Sequence, residues 1–130
     1  MTRITTLFLS FYLIIFSCED TNLTGSENVS EIENVTFSNL STSISNNTLI
    51  AIGTITNNNQ SLSISPPWYI ECQYYYENTS GNIFLIGGES TLISNALPAG
   101  VSLDWTLEHQ VDNHDNYSNF TINDLRAYKN

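Results

Sequence analysis

The chain has 130 residues, room for one domain, and a formal net charge of −10 from thirteen carboxylates against Arg3, Arg126 and Lys129. That imbalance argues against nucleic acid, whose phosphates need clustered Lys or Arg, and against adhesion to anionic lipid through a basic patch. The apolar content is ordinary, so a core can form.

Residues 1–17 read as a sorting signal. Arg3 precedes an apolar run from Ile4 to Phe16, closed by Ser17-Cys18 and the acidic pair Glu19-Asp20. A secretory signal has a short basic head, ~7–15 apolar residues and a small residue before the cut. A spanning helix needs ~20 apolar residues, more than this run supplies. Ile15-Phe16-Ser17-Cys18 resembles the lipobox of bacterial lipoprotein precursors, with Phe16 bulkier than the residue usual there. The resemblance implies that Cys18 becomes the first mature residue and carries acyl chains, palmitate among them. Two or more such chains hold stably, because each buried methylene contributes ~0.8 kcal/mol. The alternative is a plain signal peptide in which Cys18 is incidental.

Cys18 and the segment 18–31 then form an acidic tether, too poor in large apolar side chains to offset its ordering entropy. The acidic residues after Cys18 also resemble surface-export signals of some Gram-negative lipoproteins. Only one other cysteine exists, Cys72. It is expected as a buried thiol, with a Cys18–Cys72 disulfide as the rival.

From Ile32 onward apolar and polar residues alternate. Val35, Phe37 and Leu40 suggest a first strand, and the β-branched run Thr48–Thr56 a second, ending at Asn57-Asn58-Asn59. Pro66-Pro67 punctuates the chain. The next strand places Trp68, Ile70, Cys72, Tyr74 and Tyr76 on one face and Tyr69, Glu71, Gln73, Tyr75 and Glu77 on the other. The segment 78–82 is a hairpin loop, Ile83–Ile86 returns, Gly87-Gly88 permits a bend or bulge, and Ser90–Leu97 gives another strand. Val101, Leu103, Trp105 and Leu107 alternate, and Phe120–Tyr128 is the last strand. No segment carries a sustained helical period. About seven short strands with turn signals every ~8–12 residues predict an all-β, antiparallel, immunoglobulin-like sandwich over residues 32–130.

Within that pattern the chain resembles the FxLYD-type immunoglobulin-like domains of bacterial envelope proteins. Gly53-Thr54-Ile55-Thr56-Asn57-Asn58 is similar to the family's G-T-V-x-N-N segment. Cys72-Gln73-Tyr74-Tyr75 lies where the F-x-L-Y strand would lie, with Cys72 in place of the aromatic and Tyr74 in place of leucine. Leu97-Pro98-Ala99-Gly100 is similar to the L-x-P-G turn. The resemblance implies an accessory or adhesive module and carries over no catalytic residue.

Two sets of side chains are candidates for binding. His109, Asp112, His114 and Asp115 are a dense run of possible ligands for zinc or calcium, although their spacing matches no known loop and a solvated loop is the alternative. Tyr69 and Tyr75 point outward from one strand, where amphipathic aromatics suit a partner or a sugar. The Asn-x-Ser/Thr sequons, Asn78 and Asn116 among them, reflect Asn-rich composition if the host is bacterial. No nucleophile elbow or phosphate loop is present. The expectation is therefore a non-catalytic lipoprotein of the cell envelope, without cofactor, anchored to the outer membrane and facing the periplasm or the surface. Its domain would bind or scaffold an envelope protein or glycan. A metal- or carbohydrate-binding accessory module is the second reading.

Overall fold

A computed structural model describes residues 29–130. Cys18, the expected signal segment and most of the expected tether lie outside the described residues. The chain forms β1 (Ser30–Glu31), β2 (Val35–Ser45), β3 (Thr48–Asn57), β4 (Trp68–Glu77), β5 (Ile83–Ile93), β6 (Ser102–Gln110) and β7 (Phe120–Lys129). A single turn of 3-10 helix, His114–Tyr117, precedes β7. The seven strands make two antiparallel sheets, β1-β7-β4-β5 and β2-β3-β6, as the alternation predicts for a sandwich. Among the described residues no helix is long and apolar enough to cross a membrane.

Period-two patterning sets which side chains meet between the sheets. Trp68, Ile70, Cys72 and Tyr74 of β4 are fully buried, facing Leu49, Ala51 and Ile55 of β3 and Trp105 and Leu107 of β6. Each buried Leu or Ile contributes ~1.5–3 kcal/mol relative to exposure. Cys72 is a core side chain, and burial pushes its thiol up to about 12, against a hydrogen bond with Tyr74. A thiol so shifted is not a nucleophile at neutral pH. Tyr76 departs from the expected core position. It is only half-buried, with its ring against Phe84 and Tyr117.

The structure moves several expected boundaries. Ser30 and Glu31, expected at the end of the tether, pair with Lys129 and Tyr128. The two strands expected around Gly87-Gly88 are one continuous β5, with a register shift opposite Tyr74 and Tyr75. The β6 strand runs on to Gln110, so His109 continues the inward series Leu103, Trp105, Leu107.

One end of the sandwich is closed by Asn57, a fully buried amide. Its Nδ2 donates to the carbonyls of Leu62 and Leu97, each at 2.9 Å. Its Oδ1 accepts from Asn59 N at 3.1 Å and Asn59 Nδ2 at 2.8 Å. Its backbone N–H donates to Val101 O at 3.1 Å, and its carbonyl accepts from Gly100 N at 2.7 Å. Gly100 sits at φ +73, a conformation that disfavours a Cβ. The segments 53–58 and 97–100 thus dock on one another through a single satisfied amide.

Candidate functional site

The outward face of β4 carries the two tyrosines singled out above. Both point away from the core, as alternation requires, yet neither stands alone. Tyr69 stacks on Tyr128 of β7, its cross-strand partner, with centroids 5.1 Å apart and 14° between planes. The Arg126 guanidinium lies 5.5 Å from the same Tyr128 ring, so Tyr128 is flanked by a ring and a cation and is nearly buried. Arg126 Nε also donates to Glu71 Oε1, and Glu71 is only 4% exposed. A carboxylate this buried persists beside a guanidinium, not alone. Burial and the neighbouring Glu71 raise the Tyr128 hydroxyl above its ordinary range, opposed by a hydrogen bond with Ser90.

Farther along β4, the Tyr75 hydroxyl donates to Asp124 Oδ2 at 2.9 Å and lies 2.5 Å from Gln73 Oε1. Burial and the Asp124 carboxylate raise its pKa. The β4–β5 register sets Leu92 opposite Tyr69 and Leu85 opposite Tyr75. Leu92, Leu85 and Ile83 are all exposed. Two aromatic–aliphatic pairs therefore stand outward at either end of a polar stretch, Glu71, Gln73, Gly88 and Ser90. Sequence reasoning missed the leucines. Apolar residues occupy both faces of β5, so its alternation is unreadable without the hairpin register.

The four possible metal ligands are not brought together. His109 points between the sheets. Its ring stacks on Tyr74 at 5.3 Å, and its Nδ1 lies 2.8 Å from Glu89 Oε1 on β5. This contact clips the edges of the two sheets. A Cβ at Gly87 would lie 2.5 Å from His109 Cε1, which is why a glycine stands there. His114 and Asp115 contact each other, Nε2 to Oδ1 at 3.2 Å, and His114 Nδ1 lies 3.0 Å from Asn47 Oδ1. Only His109 and Asp112 border a common shallow cavity, of about 300 Å³. Among the described residues no three His, Cys, Asp or Glu side chains are grouped to hold a metal. The signal that separates His109 from the loop is the alternation Leu103, Trp105, Leu107, which reaches it without a break.

The end opposite Asn57 has a different character. The Tyr76 ring stacks on Phe84 (5.4 Å, 24°) and meets Tyr117 edge to face (5.5 Å, 77°). Beside it, between the 78–82 hairpin and the segment after the 3-10 turn, a cleft of about 340 Å³ is lined by Tyr76, Glu77, Asn78, Thr79, Asn119 and Thr121, with Ile83 at its edge. A second hollow of about 280 Å³ shares most of that lining and extends to Asn116 and Ser118.

No family model matches the chain, and neither the curated proteins nor the solved structures contain a match to it.

Proposed function

We propose that the protein is a non-catalytic envelope lipoprotein, anchored through Cys18, whose immunoglobulin-like sandwich uses the outward face of β4 and β5 to bind another envelope component. One observation carries the binding half: the cross-strand pairs Tyr69–Leu92 and Tyr75–Leu85 expose apolar and aromatic surface on one strand pair of a strongly acidic protein. Partner surfaces are enriched in aromatics of this kind, with a polar surround. The titratable groups on the sheets support the same reading. Glu71 is engaged by Arg126, Asp124 by Tyr75 and Glu89 by His109, so each of these three carboxylates is held by a neighbour within the sheets. The lipobox resemblance supports the anchor, and the acidic segment after it supplies reach from the bilayer.

Photo-crosslinking residues placed at Leu85 and Leu92 in growing cells test the contact face, with Thr106 on the outward face of the other sheet as the control. A shared crosslinked envelope component from both leucine positions, and none from Thr106, is the expected result. Equal yields from all three positions would reject the face. Metabolic labelling with a palmitate analogue tests the anchor separately: label on the wild type, lost in Cys18→Ala, is expected.

A further inference from the structure

We infer that the component docked on the outward face of β4 and β5 is a protein segment in which lysine or arginine stands among aliphatic side chains. The inference rests on the contact face proposed above and names its partner class. Alternation and register fix what that face presents. Its apolar and aromatic part is Tyr69, Tyr75, Ile83, Leu85 and Leu92. Its carboxylates are of two kinds. Glu71 is 4% exposed and held by Arg126, so its charge is already neutralised. Glu77 and Asp124 are exposed, and among the described residues neither is paired with a cation.

Asp124 is the anchor. It sits at φ +53, within the register shift that separates Arg126 from Asn123, in a conformation that aspartate tolerates better than most residues. One of its oxygens, Oδ2, accepts from the Tyr75 hydroxyl at 2.9 Å, which leaves Oδ1 for a second donor. Leu85 stands opposite Tyr75 on β5. A basic side chain laid across Tyr75 and Leu85 buries its methylenes there and brings its charged head to Asp124. Glu77, opposite Ile83, repeats the arrangement ~7 Å farther along, two residues at ~3.4 Å each. An acidic partner would meet both carboxylates and the net charge of −10. A wholly apolar partner would strip water from Asp124 and Glu77 and replace it with nothing. Cations carried among apolar groups satisfy both halves of the surface.

The test is calorimetry on the full chain in a polyoxyethylene detergent, which carries no charge. The probes are three peptides that share one leucine–serine frame and carry lysine, glutamine or glutamate at the remaining positions. The lysine peptide should bind with a Kd of about 1 mM or tighter, and the other two at least about tenfold more weakly. Asp124→Asn keeps an acceptor for Tyr75 and tolerates the left-handed backbone. It should weaken the lysine peptide about fivefold, and Leu85→Ser by a similar factor. Glu108→Gln, at an exposed position on the outward face of the other sheet, should change it by less than about twofold, which separates this face from general attraction to an acidic protein. Melting temperatures confirm that each variant folds. A lysine peptide that binds no better than the glutamine one, or a loss in Glu108→Gln as large as in Asp124→Asn, would overturn the inference. Crosslinks from Leu85 and Leu92 together with either of those results would keep the contact face and reject its partner class, whereas absence of crosslinks would reject the face itself.

Discussion

The two ends of the sandwich are built from the same residue type and do opposite things with it. At one end Asn57 is fully buried, and its amide ties together Leu62, Leu97 and Asn59. At the other, Asn116 and Asn119 are exposed around a cleft walled by Tyr76. A buried amide must spend its hydrogen-bonding capacity inside the protein, because an unpaired polar group there costs ~1–3 kcal/mol. An exposed amide keeps that capacity for water or a ligand. The abundance of asparagine is therefore not one property. It gives a lock at one end, left-handed backbone at Asn34, Asn46 and the irregularity within β2 at Asn39, and a polar rim at the other end.

The sharpest way to break this comparison is Asn57→Leu. It leaves the Leu62 carbonyl without its Asn57 donor and the Leu97 carbonyl with only the Ile64 N–H, and should lower stability by about 3 kcal/mol in urea unfolding. A loss below about 0.5 kcal/mol would mean that the lock is not one. Next in size is Gly87→Ala. Its Cβ would press on the His109 ring, held between Tyr74 and Glu89 beneath the open end, and should cost about 2 kcal/mol.

Alkaline titration comes third. The Cys72 thiol is held protonated in the fold up to about 12, against an ordinary value of 9.0. Between those values the native state keeps a proton that the unfolded chain has released, so stability falls as pH rises. Moving from pH 9 to pH 10 should cost about 1 kcal/mol through this thiol, and Cys72→Ala should reduce the slope by that share, leaving the part due to Tyr74 and Tyr128, whose hydroxyls burial also holds protonated. A thiol reagent at pH 8 should correspondingly label Cys72 only in urea. The smallest effect belongs to Asn119→Ala, at the exposed rim, which should change stability by less than about 0.5 kcal/mol. The pair Asn57 and Asn119 thus brackets the comparison.

Where a strand is half-buried and both its faces differ in polarity, sequence alone located it. The β4 strand is the clearest instance, with Trp68, Ile70, Cys72 and Tyr74 inward and Tyr69 and Tyr75 outward. Legibility stopped where long-range contacts decide. Gly87-Gly88 looks like a break between two strands. It is instead a place where β5 admits the His109 ring from a strand some twenty residues away. Likewise His109 sits in a run of possible metal ligands, and only the length of β6 shows that it faces the core. The candidate contact face was half legible. Tyr69 and Tyr75 follow from alternation, whereas Leu85 and Leu92 follow from the β4–β5 register, and Tyr128 and Arg126 from the pairing of β7. The cleft near Tyr76 was illegible, because it lies between the β4–β5 hairpin and the start of β7, which only the folded chain brings together.

Native-state hydrogen exchange tests the contrast between the ends most directly. The amides of Asn57, Leu97 and Gly100 should exchange only through global opening, while those of Thr79 and Asn119 should exchange with almost no protection, a separation of several kcal/mol in opening free energy. Exchange at Asn57 and Gly100 as fast as at Thr79 would contradict a closed end and an open one.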